Sequence, residues 1–268
     1  MNVRRLTHAF LARLGYELRR CPPTEERADF VATATGCRTN LAEAYRHILN
    51  KGFQPATVID IGVAGGTPEL YSTFPDSYFL LVEALSQFEP QIQSILEKYQ
   101  GAYVLAAAGA EAGHLEINVH DHQPDASSLY QETMGSMADG HKVRVPVVRL
   151  DDIVEEQSLR GPFLLKIDVQ GAEIDVLAGS PTVIEQCEAI VLEVSLFQFL
   201  KGAPEFADVI AHMRSKGFVV YDIIPGWNRP LDDALGQCDI VFVREHGQFR
   251  RDHSYMSAEQ FRSAVNGI

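Results

Sequence analysis

The sequence predicts an α/β protein built on one mainly parallel sheet of seven strands that closes with an antiparallel pair. Three observations predict it. From Thr57 onward, short apolar runs alternate with stretches of helical spacing, the pattern of βα units. A glycine-rich loop follows the first of those runs at once, where open α/β sheets seat ligands. The last two apolar runs are joined by Pro225-Gly226 and a polar loop with no helix between them, so they pair antiparallel.

Ahead of the sheet, Leu6, Phe10, Leu11, Leu14 and Leu18 share one helical face, arginines occupy the rest, and Cys21-Pro22-Pro23 ends the pattern. Such a helix packs on the body or on a second subunit as a dimer element, or rests on an anionic membrane surface; the sequence leaves both open. Residues 24–39 are weakly patterned and read as a linker or lid. Leu41, Ala44, Tyr45, Ile48 and Leu49 then recur at helical spacing, with Gly52 as a stop. Residues 1–52 therefore read as a helical extension, 53–250 as the main domain and 251–268 as a tail.

Within the domain the strands read as 57–61, 78–83, 102–107, 163–169, 188–194, 218–224 and 239–244. Helices fall near 67–74, 87–98, 172–178 and 205–216. Residues 113–148 form an insertion with two more strand-like runs, 115–119 and 143–148.

The net charge of −13 argues against a nucleic-acid partner, since the body shows no basic face to offset it. Cys21, Cys37, Cys187 and Cys238 lie far apart without a paired spacing, which points to reduced thiols rather than a zinc site. With no signal-peptide pattern and no long apolar run, a cytoplasmic location is the expectation.

Val58-Ile59-Asp60-Ile61-Gly62-Val63-Ala64-Gly65-Gly66-Thr67 is a buried strand running into the glycine loop. Glycines let a ligand press against backbone N–H groups, although such a loop can also be a plain turn. A dinucleotide loop needs glycines where Ala64 and Thr67 stand. The spacing suits instead a nucleoside with an amino-acid tail: Asp60 for its ammonium, directly or through water, and the amides of Gly62, Gly65 and Gly66 for its carboxylate. The next strand ends in Glu83, placed to accept hydrogen bonds from ribose hydroxyls, with Ala84 and Leu85 beside the base and Ala107 at the end of the third strand.

The most informative stretch is Lys166-Ile167-Asp168-Val169-Gln170-Gly171-Ala172-Glu173. Strand alternation points Lys166 and Asp168 to the same sheet face. A lysine inside an apolar strand needs a partner, and a carboxylate is the cheapest. The pair serves either the fold alone or a ligand site at the sheet edge.

Here the chain resembles the FkbM-type methyltransferases. The resemblance runs from about Val58 to Val243 and rests on Asp60-Ile61-Gly62 with Gly66, Val82-Glu83, Val147-Val148-Arg149-Leu150-Asp151-Asp152, the segment Lys166 to Glu173, and Leu192-Glu193-Val194. The chain departs from that pattern at Ala64, Ala84 and Gln170, where the family often has Asn, Pro and Glu. The last departure argues against a catalytic duty at position 170.

The resemblance implies a Rossmann-like class I methyltransferase fold and transfer of a methyl group from S-adenosylmethionine to a hydroxyl, often on a sugar, glycan or polyketide-type small molecule. Such a hydroxyl needs a base or a metal. Asp168 leads as base. Glu193, on the next strand, either shares a Mg²⁺ or Mn²⁺ with Asp168 or braces the substrate loop. His120, His122 and His141 are alternative bases. The insertion, the loop 197–204 and the stretch 225–237 with Trp227 shape the acceptor pocket. Rival readings are a nicotinamide-dependent oxidoreductase, disfavoured by the glycine spacing, and a non-catalytic scaffold, disfavoured by the buried charges.

Overall fold

The computed structural model describes residues 36–135 and 140–266. The expected helix at 4–18 and most of the linker at 24–39 lie outside the described residues. Arg38–His253 form one compact unit, and the described tail carries a helix, Ala258–Asn266.

The elements of the unit follow in chain order. Helix α1 (Leu41–Asn50) starts at Asn40, whose side chain accepts a hydrogen bond from the Glu43 amide at 3.0 Å. It stops before Gly52, which takes a left-handed φ of 83°. Then come β1 (Thr57–Ile61), α2 (Pro68–Thr73), β2 (Tyr78–Glu83), α3 (Glu89–Leu96) and β3 (Gly101–Leu105). Next is β4 (Ala107–Ala108), and the insertion supplies β5 (Gly113–Val119) and β6 (His141–Val148). After it follow α4 (Leu150–Glu156), β7 (Phe163–Ile167), α5 (Glu173–Ala178), α6 (Pro181–Gln186), β8 (Cys187–Ser195), α7 (Phe206–Ser215), β9 (Phe218–Pro225) and β10 (Gln237–Arg244).

Seven strands form one sheet in the order β3-β2-β1-β7-β8-β10-β9. The first five are parallel, and β10 runs antiparallel to both β8 and β9. This is the expected Rossmann-like class I methyltransferase architecture. Strand alternation explains the two cores. Ile59, Ile61, Leu165, Ile167, Ile190 and Leu192 face α4 to α7, whereas Val58, Phe79, Leu164 and Val191 face α1 to α3.

Three local features differ from the sequence reading. The expected strand 102–107 breaks at Ala106, because Ala107 and Ala108 leave the main sheet and pair parallel with Val147 and Val148. The insertion thereby forms with β4 a second, three-stranded sheet, β4-β6-β5. The strand expected to reach residue 169 ends at Ile167, so Asp168 begins a loop. Helix α1, expected to belong to an N-terminal extension, buries Ala44, Tyr45 and Ile48 against Leu70, Phe74 and the sheet.

Candidate active site

The site is built on one row of side chains. Strands β1 and β7 pair in register with Asp60 opposite Lys166, and alternation sends both to the same face. Both are buried, and Lys166 Nζ lies 3.2 Å from Asp60 Oδ1 and 3.4 Å from Asp168 Oδ2. The other Asp60 oxygen accepts a 2.6 Å hydrogen bond from the Tyr71 hydroxyl on α2. Burial alone would lower the Lys166 pKa, but the charges of Asp60 and Asp168 outweigh it and the ammonium is held above its ordinary range. The buried lysine is thus a fixed positive post beneath Asp168.

The glycine loop leaves β1 beside this post. Gly62 has a φ of 78°, and a side chain there would collide with the Asp168 carbonyl oxygen. Glycine is required because the ends of β1 and β7 touch through their backbones; Asp168 donates its amide to Ile61 O at 3.0 Å. Gly66 also has a positive φ, of 93°, and its α-carbon faces Ile95 and Tyr71. Gly65, by contrast, has open space where a side chain would stand. Glu83 ties the loop down: its carboxylate accepts from the Ala64 amide at 2.9 Å and from the Leu85 amide at 2.8 Å. Burial raises the Glu83 pKa, and these amide hydrogen bonds oppose the rise.

One level up the same face stand three carboxyl groups. Asp168 follows Lys166 by two residues, Glu193 follows its register partner Val191 by two, and Asp239 pairs in register with Glu193. The Gln170 side-chain amide sits between the first two, donating to Glu193 Oε2 at 2.7 Å and to Asp168 Oδ1 at 3.1 Å. Burial, together with the charges of Asp168 and Asp239, pushes Glu193 up to about 9. Burial and Asp168 push Asp239 up to about 6. Glu173 sits under the loop, accepting from the Gly171 and Val169 amides at 3.1 and 3.4 Å, and burial lifts it to about 7.

Asp168, Gln170, Glu193 and Asp239 line a cavity of about 1490 Å³. That is more than the roughly 300–1,000 Å³ of a single-ligand pocket. At one end are the glycine loop, Glu83, Ala84, Leu85 and Ala107; at the other, Phe197, Phe199 and Trp227. The Phe199 and Trp227 rings stack at 5.4 Å, and Arg229, paired with Asp232, covers Phe197. The first end fits an adenosyl group, with an acid placed for its ribose, apolar walls for its base and open space above Gly65.

A family model described as the methyltransferase FkbM domain matches residues 71–220, more than half of the chain. The chain belongs to the FkbM methyltransferase family. It is an S-adenosylmethionine-dependent methyltransferase. Methyltransferase 1 of Beauveria bassiana is 29% identical over 193 residues, spanning 65% of this chain and 76% of that protein. Among solved structures, precorrin-6y C5,15-methyltransferase from Geobacter metallireducens has a TM-score of 0.41 at 12% identity, covering 79% of this chain and 93% of its own. Magnesium protoporphyrin IX methyltransferase from Synechocystis has a TM-score of 0.42 at 11% identity, covering 91% and 98%.

The FkbM methyltransferase fold brings Glu83, Asp168, Glu193, the loop glycines, Ala84 and Ala107 to one cavity. Asp60 is closed off beneath it: it is fully buried, and its oxygens face Tyr71 and Lys166 rather than the ligand space. Of the three histidines, His120 lines the cavity, with Nε2 3.7 Å from Glu132 Oε1. His122 and His141 do not. His141 pairs with Val119 at the outer end of the β5–β6 hairpin, where its ring meets the exposed Asp121 at 2.7 Å, and His122 is exposed just beyond. As proton acceptors they are corrected away.

The residues present also do not fit the expected Mg²⁺ or Mn²⁺. Among the described residues no group of three or more His, Cys, Asp or Glu is arranged to hold a metal ion. The gap between Asp168 and Glu193 carries the Gln170 amide, a hydrogen-bond donor in the place a cation would take.

Asp239 was not among the expected site residues, and Gln237 was expected only as the end of the pocket stretch 225–237. Both lie at the start of β10, whereas the acids expected at the site stand at strand C-termini. Because β10 is antiparallel, its beginning lies at the same sheet edge as the ends of β7 and β8. An acid opening an otherwise apolar final strand was the available signal.

Proposed function

We propose that this methyltransferase methylates a hydroxyl group on a small-molecule or glycan acceptor, with Asp168 as the base. The supporting observation is the position of Asp168. It is the partly exposed carboxylate at the sheet edge, held from below by Lys166 and lining the cavity between the glycine loop and the aromatic wall. S-adenosylmethionine, when bound, supplies an electrophilic methyl group on its sulfonium.

The chain's own residues do the rest. Glu83 and the glycine loop seat the nucleoside, and the Phe199–Trp227 wall offers a flat apolar face to the acceptor. The acceptor hydroxyl would place its oxygen in line with the methyl group, and Asp168 would take its proton as the C–O bond forms and the methyl–sulfur bond breaks, leaving neutral S-adenosylhomocysteine. Glu193, whose raised pKa keeps it protonated at neutral pH, adds no second negative charge beside that base.

The test incubates the enzyme with S-adenosylmethionine and a panel of sugars, glycosides, phenols and matched amines, and measures S-adenosylhomocysteine release and the site of methylation. Methyl ethers are expected, with loss of about a hundredfold or more in turnover for Asp168→Asn and retained S-adenosylhomocysteine binding. N-methylation alone, or near-normal turnover in Asp168→Asn, removes this reading. Since no step uses a metal, activity is expected to survive exhaustive EDTA treatment.

A further inference from the structure

We propose that Gln170 and Gln237 form a directed amide relay through which an acceptor resting on Trp227 sets the orientation of the Asp168 and Glu193 carboxyls. The proposal rests on the reading of Asp168 as the base. Both glutamines are then positioning residues.

The polarity of the relay is fixed from both ends. An indole N–H can only donate. Trp227 Nε1 lies 2.7 Å from Gln237 Oε1, so the Gln237 amide nitrogen must face the other way. There it meets Ser195 Oγ at 3.2 Å and Gln170 Oε1 at 3.5 Å. With its oxygen used as an acceptor, Gln170 turns its amide nitrogen to the carboxyls, at 2.7 Å from Glu193 Oε2 and 3.1 Å from Asp168 Oδ1. Asp168, acting as the base, is a carboxylate that can only accept, so its contact with the Gln170 amide nitrogen demands the same direction. Flipping either amide sets donor against donor or acceptor against acceptor.

The backbone is committed to this arrangement. Gln170 holds a left-handed φ of 51°, uncommon for a residue with a side chain. Its carbonyl is pinned by a 2.7 Å hydrogen bond from Ser128 Oγ, which reaches across from the insertion. Gln237 is 7% exposed, whereas Trp227 is 45% exposed and stacks on Phe199 at the cavity wall. A ligand on that indole therefore touches one end of a chain whose other end is the base. Glutamate at position 170 still accepts from Gln237 but has no donor for either carboxyl.

Trp227 is the chain's single tryptophan, so its fluorescence reads the outer end alone. Emission maxima are compared in the wild type, Gln170→Met, Gln237→Met and the double variant, with no acceptor present. Gln170→Met is expected to shift the emission in the wild-type background and to add nothing in the Gln237→Met background. Gln170→Glu is expected to keep the wild-type emission while kcat, on an acceptor from the panel above, falls about a hundredfold and the S-adenosylmethionine KM stays unchanged. Should Gln170→Met fail to fold, Gln237→Glu severs the same link from the other side: it keeps an acceptor for the indole and loses the donor to Gln170, so kcat is expected to fall.

Emission unaltered by Gln170→Met, or altered equally in both backgrounds, overturns the relay. So does full activity in Gln237→Glu. Because the emission cycle needs no turnover, it can fail while O-methylation stands, and the acceptor panel can fail while the relay stands.

Discussion

Gly62 and Gly65 share one loop and answer to different constraints. At Gly62 the left-handed backbone and the Asp168 carbonyl leave no room for a methyl group. Strain of about 1–2 kcal/mol is then the smaller cost, and backbone overlap the larger. Gly62→Ala is expected to lower the melting temperature sharply or prevent folding. Gly65→Leu is expected to fold at the wild-type melting temperature and lose S-adenosylhomocysteine binding, measured by calorimetry, since its side chain occupies ligand space. A folded Gly62→Ala with normal binding contradicts the close approach. Glu193 gives a pH prediction. Its raised pKa means that the folded chain holds this proton more tightly than the unfolded chain, whose value is near 4.5. Its contribution to stability is therefore most favourable below about 4.5 and declines as pH rises toward about 9. Glu193→Gln is expected to gain melting temperature relative to the wild type as pH increases through that window; a constant difference sinks the argument. The Lys166–Asp168 pair was legible in the sequence because alternation alone puts both on one face, whereas Asp60, expected to hold a ligand's ammonium, meets Lys166 through strand pairing that the sequence does not show. Gln170 was not, because its role depends on a left-handed turn that propensity does not reveal.

At the level of elements, the catalytic loop after β7 hangs from the insertion as well as from the sheet. The Ser128 hydroxyl donates to Gln170 O and accepts from the Tyr130 amide at 3.0 Å, in a buried position. Ser128→Ala removes a hydrogen bond worth about 1 kcal/mol of stability. It is expected to reduce kcat by a much larger factor than that loss implies, because the loop it anchors carries the proposed base; proportionate changes in both argue against the tie. The main strands were readable from their apolar runs, two of them, 57–61 and 78–83, to the residue. Helices α4 and α6 were not, since each spans two turns or fewer and α6 opens with Pro181, which reads as a turn. The break at Ala106 was hidden because an unbroken apolar run gives no sign that the chain changes sheets.

For the whole unit, the sheet order determines which strand ends meet, and the site follows from it. Reversal of β10 brings Asp239 and Gln237 to the ligand edge, and the local sign of it is the acid near the start of an otherwise apolar strand. Ligand linkage tests the site as a whole. At a concentration a hundred times its dissociation constant, S-adenosylhomocysteine adds about 2.7 kcal/mol. For a domain of this size that raises the melting temperature by roughly 5–10 °C. NADH is expected to leave it unmoved, and the reverse pattern defeats the cofactor assignment. A final consequence concerns the Glu83 carboxylate, which bonds the Ala64 and Leu85 amides. The loop is thereby tied down by the chain's own side chain, and little of the association free energy is expected to go into ordering it. Capture is expected as a single fast exponential in stopped-flow mixing, without a slower rearrangement behind it.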